Sequence, residues 1–290
     1  MNLKKQILFG AAIATVFTAC TDTEVPSDPS VPAQTVSSRV SLNVRAFGDT
    51  GQIENPITES TTLSGYFFTD GKLDTLYTGL TADDNAYTLN LPATEGTLYF
   101  VANPSSDFTG KVTTQMAQDA FLQLTSGRDG IDTAAPMTAS LQVGSHSDFD
   151  HLSATLTRAV ARIDVQPLSD NVTITGITLS DVAQNGYYFA QSSVQTAAGG
   201  TTTLSRSFDT PLAALQTGVF YLYEQEGNLP VEVQARVNGR PRTFSATLPA
   251  TIERNHIYTV KVTSTGIQVV VNVGIGEWEQ GEDTVIDAGN

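Results

Sequence analysis

The sequence predicts an all-β protein, and three observations carry that reading. Apolar residues recur with a period of two over most of the chain, Asp-Gly and Asn-Gly dipeptides stand where alternating runs meet, and Thr, Ser, Gly, Val and Ala are abundant while charged residues make up only 16%. At 290 residues the chain has room for two domains, each with its own core.

The elements follow in order. Residues 1–19 read as a signal peptide: Lys4 and Lys5, an apolar stretch over 7–19 that is too short to span a bilayer, and then "FTAC", which ends in the only cysteine, Cys20. The run Phe17, Thr18, Ala19, Cys20 resembles a bacterial lipobox, in which Cys20 becomes the lipid-modified first residue. An ordinary secretory signal is the alternative, but it leaves an odd thiol unexplained. Removing 1–19 takes away two lysines and no acids, so 15 basic residues against 30 acidic become 13 against 30, a net of -17. So acidic a chain has no electrostatic footprint for nucleic acid or an anionic membrane surface. Residues 20–38, poor in large apolar side chains and punctuated by Pro26, Pro29 and Pro32, read as a disordered tether.

In "RVSLNVRAF", Val40, Leu42 and Val44 share one face and Ser41, Asn43 and Arg45 the other, which predicts a first strand. "SGYFFTDGKLDTLY" breaks at Asp70-Gly71 and "VEVQARVNGRPRTFSATLP" at Asn238-Gly239, each a two-residue hairpin turn. Pro241 is tolerable only near a strand end or edge. Further strands are expected at 97–102, 161–166, 172–179, 219–223, 257–263 and 267–273. One helix is expected over 112–124, where Met116, Ala120, Phe121 and Leu124 recur at helical spacing and Thr113 or Thr114 can cap the start. Residues 126–153, rich in turn formers, are the best candidate for the join between an N-terminal domain at 39–150 and a C-terminal domain at 151–290.

Motifs of catalysis are missing: the sequence has no HExxH, GxSxG, P-loop or CxxC, and no GxGxxG after a strand. No enzyme activity, cofactor or metal is expected. The one cluster to weigh is "HSDFDH", where His146, Asp148, Asp150 and His151 could in principle ligate a metal. A flexible acidic loop explains the same letters, and strand alternation would send these side chains to opposite sides. His256 heads a strand and reads as a turn or edge residue. Trp278 reads as a core or edge aromatic rather than a sugar platform.

Several phrases taken together resemble the fimbrillins of Bacteroidales, the FimA-type subunits of type V pili: "LTRAVARIDV" at 156–165, "TIERNHIYTVKVTSTG" at 251–266, "VNVGIGEWEQG" at 271–281 and "RAFG" at 45–48. Asp22 and Glu24, just behind the cysteine, loosely resemble surface-export signals of that order. The resemblance implies two tandem transthyretin-like, Greek-key β-sandwich domains, with lipidation at Cys20 in the outer membrane. It implies cleavage by an arginine-specific protease at Arg45-Ala46, which removes the first strand, and refilling of the vacated groove by a C-terminal strand, within 266–290, of another fimbrial subunit. A host protein or glycan is a further partner it allows. From its own pattern, Arg45 reads equally well as the last solvated residue of its strand. An anchor or tip component that keeps its first strand, and a monomeric glycan-binding surface lipoprotein, stand as alternatives.

Overall fold

Among the residues that the computed structural model describes, 35–44, 61–83, 86–144 and 147–272, the chain is β-strand almost throughout. The first part runs β1 (Thr35–Val44), β2 (Leu63–Thr69), β3 (Lys72–Tyr77), β4 (Ala86–Pro92), β5 (Gly96–Ala102), α1 (Ser106–Lys111), α2 (Gln118–Leu122), β6 (Thr125–Gly127), β7 (Met137–Val143) and β8 (Leu152–Arg158). The second runs β9 (Val160–Pro167), β10 (Val172–Ala183), β11 (Asn185–Tyr187), β12 (Thr201–Leu212), β13 (Gln216–Tyr223), β14 (Gln225–Glu226), β15 (Pro230–Val237), β16 (Arg240–Thr247), β17 (Thr251–Ile252), β18 (Ile257–Val262) and β19 (Ile267–Asn272). Both hairpin dipeptides adopt the left-handed backbone their turns require: φ is 49° and 71° at Asp70-Gly71, and 51° and 75° at Asn238-Gly239.

The first part makes one seven-stranded sheet in the order β3-β2-β5-β7-β8-β1-β4. Since β7 and β8 pair only at Met137 with Arg158 and Thr138 with Thr157, the sheet folds over at that seam into two layers. Phe67, Leu98 and Phe100 of one layer meet Val40, Leu89 and Leu156 of the other in a shared core. On the side away from the seam, Tyr77 of β3 donates its hydroxyl to the Asn90 carbonyl of β4 at 2.7 Å. Burial pushes this phenol up to about 12, so the donor keeps its proton. The second part packs sheet β12-β10-β15-β16 on sheet β13-β9-β18-β19 around Ile163, Ile174, Ile177, Val233 and Val260. The fold is therefore two β-sandwiches, as the family resemblance implied.

A third cluster joins them. Tyr66, Phe68, Tyr99, Phe108 and Phe121 of the first sandwich enclose Tyr188 and Phe189 of the second. Tyr188 stacks on Phe108 at 4.2 Å between ring centroids, and Phe121 lies 5.0 Å from Phe189. The same crossing segment pairs through β11 with β6. Behind it sits Arg254, whose guanidinium meets both oxygens of Glu224 at 2.6 and 2.8 Å and donates to the carbonyls of Tyr187, Tyr188 and Phe189. Side-chain exposure is 12% for Arg254 and 5% for Glu224. One buried ion pair thus satisfies three consecutive carbonyls that β-pairing leaves over.

Three sequence expectations are corrected. The tether expected over 20–38 ends earlier, because Thr35–Ser38 already pair with β4 and Ser38 is buried. Prolines stop at Pro32, so nothing prevents extension from Thr35 on. The helix expected over 112–124 is broken: α1 lies upstream, capped by the Ser105 hydroxyl on Phe108 N at 3.0 Å, Val112 is extended, and Gln115 takes a φ of 60° before α2 begins. Phe121 is buried and Met116 and Leu124 pack against its cluster, but Ala120 is exposed, so the apolar stripe holds only in part and the continuous helix does not. Finally, residues 126–153 do not join two sandwiches. They hold most of β6, all of β7 and the turn into β8, and Leu152, Ala154 and Leu156 alternate into the first core. The chain crosses to the second sandwich at Ala159 rather than at 150–151.

Candidate functional site

The site begins with the alternation of "SRVSLNV", which gives β1 one apolar and one polar face. Val40 is fully buried and Leu42 is 6% exposed, while Arg39, Ser41 and Asn43 face solvent. Val44 is only half-buried, at the end of the strand. Each fully buried aliphatic side chain of this kind contributes roughly 1.5–3 kcal/mol.

The pairing of β1 is staggered. Thr35 to Ser41 pair antiparallel with β4, from Pro92 back to Ala86, and Val40 to Val44 pair parallel with β8, from Leu152 to Leu156. A backbone bond from Arg39 N to Phe149 O at 2.8 Å carries the contact round the turn before β8. Among the described residues β4 has no other strand partner than β1; its second edge meets the Asp83 backbone at Ala86 and the Tyr77 hydroxyl at Asn90. Taking β1 away would open an apolar slot between the edges of β4 and β8, with the backbone groups of both unpaired. An edge of that kind is a template for another extended segment.

Of the residues singled out in the sequence, Cys20, Arg45, Ala46, His146 and Trp278 lie outside the described residues. Described residues do place the strand that ends just before Arg45. The candidate donor region 266–290 is described as far as Asn272, and there β19 is engaged in its own sheet. All six residues from Ile267 to Asn272 pair with β18, and Ile267 and Val269 are buried. His256 precedes β18 and donates Nδ1–H to the Arg254 carbonyl at 2.8 Å, which makes it a turn residue. Composition and motifs missed Arg254, whose one legible trace is the run "ERNH", where Asn255 has a φ of 59°.

Asp148, Asp150 and His151 occupy the turn between β7 and β8. His151 Nδ1 lies 3.0 Å from Asp148 Oδ2, and both side chains are exposed. Among the described residues no group of three or more His, Cys, Asp or Glu is arranged to hold a metal. Changing His146 and His151 together to Ala is expected to shift stability by no more than about 0.5 kcal/mol. Zinc is expected to raise the melting temperature of neither protein; a rise confined to the wild type would reinstate the metal reading.

No family model and no curated protein matches the sequence. Solved structures do share its fold. The tip fimbrial protein Mfa3 of Porphyromonas gingivalis, with a C-terminal truncation, is 15% identical over 82% of this chain and 100% of that one, with a TM-score of 0.55. A fimbrial assembly protein from Parabacteroides distasonis is 16% identical over 87% of this chain and 100% of that one, with a TM-score of 0.54. At such identities the likeness concerns the fold.

Proposed function

We propose that this chain is a structural subunit of a cell-surface fimbria, without catalysis of its own. It is exported as a lipoprotein through Cys20 to the outer membrane, cut by an arginine-specific protease at Arg45-Ala46, and assembled with other subunits by strand exchange. The observation that carries the reading is the position of β1. The strand is the first element among the described residues, lies between β4 and β8, and ends one residue before the arginine, so a single cut detaches it from everything that follows. Likeness of fold to fimbrial proteins supports the same reading. Because β19 is held in its own sheet, the donor segment is assigned to residues 273–290.

The test is digestion of the purified precursor with an arginine-specific protease. The expected product begins at Ala46 and forms a ladder of oligomers, and the Arg45→Ala precursor forms none. Cleavage at Ala46 that leaves a monomer would remove strand exchange and keep processing. Resistance at Arg45 would favour an anchor or tip component that keeps its first strand. One observation speaks for that second reading: Val44 is itself paired, with Leu156, so the sheet holds the chain up to the residue before the cut.

The lipid is tested separately. Multiple acyl chains, at roughly 0.8 kcal/mol per buried CH₂, hold far more firmly than the marginal binding of one myristoyl chain. Cys20→Ser is expected to abolish metabolic fatty-acid labelling and release the precursor from membranes. Undiminished labelling would remove the lipoprotein assignment.

A further inference from the structure

The turn of the β15–β16 hairpin carries three arginines, Arg236, Arg240 and Arg242, all of them exposed. None has an ion-pair or side-chain hydrogen-bond partner among the described residues. Most other described arginines are engaged: Arg254 with Glu224, Arg162 with Asp164, Arg39 with Asp83, Arg128 with Asp132. The pairing register sets the arrangement. Arg240 stands opposite Val237 and Arg242 opposite Ala235, so these two project from one face, about 7 Å apart along the strand. Arg236 stands opposite Pro241 and projects from the other face. The neighbouring turn, joined to the hairpin by Asn171 and Asn238, brings one acid, Asp170. This is a net positive tip on a chain whose formal charge is -15.

We propose that this hairpin tip is a docking surface for a polyanionic glycan, a chain bearing sulfate or carboxylate groups. Three features select that partner. All three cations are arginine, whose planar fork binds oxyanions in bidentate fashion where lysine offers a point charge. Beyond them on β16, Thr243, Ser245 and Thr247 are exposed hydroxyls on the face of Arg236, while Phe244 and Ala246, on the face of Arg240 and Arg242, are half-buried against the second core. The patch therefore lacks the apolar anchor that a protein interface uses for most of its binding energy, and charge has to supply it. The arms also spread to both faces of an edge, which suits a thin flexible chain better than a broad surface. The surface does not depend on strand exchange, since an uncut monomer carries the same hairpin.

The experiment passes the full chain over immobilised heparin, which bears sulfate and carboxylate, and over immobilised polygalacturonate, which bears carboxylate alone. Despite its acidity the wild type is expected to be retained on at least one at low ionic strength and released by salt. Arg240→Gln/Arg242→Gln is expected to flow through with its melting temperature unchanged, while Lys72→Gln/Lys261→Gln, with the same change in charge, stays bound. Retention on heparin alone identifies sulfate as the recognised group; retention on both identifies carboxylate as sufficient. Flow-through of the wild type on both, or equal retention of the arginine variant, would overturn the proposal. So would salt-sensitive dimers of the wild type that the variant loses, since the patch would then read the acidic surface of a second copy. Aggregation of the variant through the β16 edge without any change in glycan binding would likewise overturn it, leaving Arg240, Pro241 and Arg242 as guards of that edge.

Discussion

Arg254→Met is expected to lower the unfolding free energy by about 3–5 kcal/mol, read by chemical denaturation, because it strands a buried carboxylate and takes a donor from three carbonyls at once. Glu224 is only 5% exposed and, among the described residues, its two oxygens meet no other cation; Tyr187 O loses its side-chain donor, while Tyr188 O keeps the Thr138 hydroxyl at 3.5 Å and Phe189 O the Gln191 amide at 3.0 Å. The loss should be visible first where the two sandwiches meet. Near-ultraviolet dichroism of the aromatic cluster and amide protection over 185–191 are expected to fall before the sheets themselves unfold. Adding Glu224→Leu to Arg254→Met should recover part of the stability, since an apolar pair removes the uncompensated charge. A single variant within about 1 kcal/mol of the wild type would show that water can reach these groups, and that the aromatic contacts alone join the sandwiches.

The second large effect is expected from Val40→Asp in the uncut precursor. Val40 is fully buried at the point where β1 pairs with β4 and β8 together. A carboxylate there must lose its water or take up a proton, at a cost of several kcal/mol, comparable with all that the apolar face of β1 contributes. The strand should come out while the second sandwich stays folded, and the precursor should form oligomers with no protease added. Sedimentation and far-ultraviolet dichroism distinguish the outcomes. A folded monomer would show that an open slot between β4 and β8 is not enough to recruit another strand. A globally unfolded chain would show that the slot does not persist empty, and cutting and refilling would have to be simultaneous.

Strands with one wet and one dry face were legible in the sequence because the dry face repeats every second residue. That is why β1, β3 and β15 stand where alternation put them, whereas β2, β5, β9 and β18, buried at nearly every position, were legible as short apolar runs. β12 was missed for the opposite reason: "TTTLSRSFDTPL" is exposed or half-exposed at all twelve positions, so no apolar period exists to detect. β7 and the first two residues of β8 lay inside a stretch whose Ser, Asp and Gly content read as a linker. What identifies β8 is its partner β1, far away in sequence, and local pattern carries no such information. The candidate site was half legible. Its strand was visible as a pattern, whereas its place between β4 and β8 is a property of topology alone.

The pairing of β1 with β8 also sets an order of events. Asn43 hydrogen bonds to Ser153 across 110 positions, at 3.4 Å. A chain that emerges N-terminus first presents β1 early and β8 late, so β1 can pair with β4 once Pro92 is out, but its edge toward β8 stays open until more than half of the protein has followed. Closing so long a loop is slow, and the waiting strand has Val40 and Leu42 exposed meanwhile. On this kinetic view the join of β1 to β8 is the last in the first sandwich to close. Until β8 arrives, the first sandwich carries one open edge beside β1, the same kind of edge that the proposed strand exchange would need.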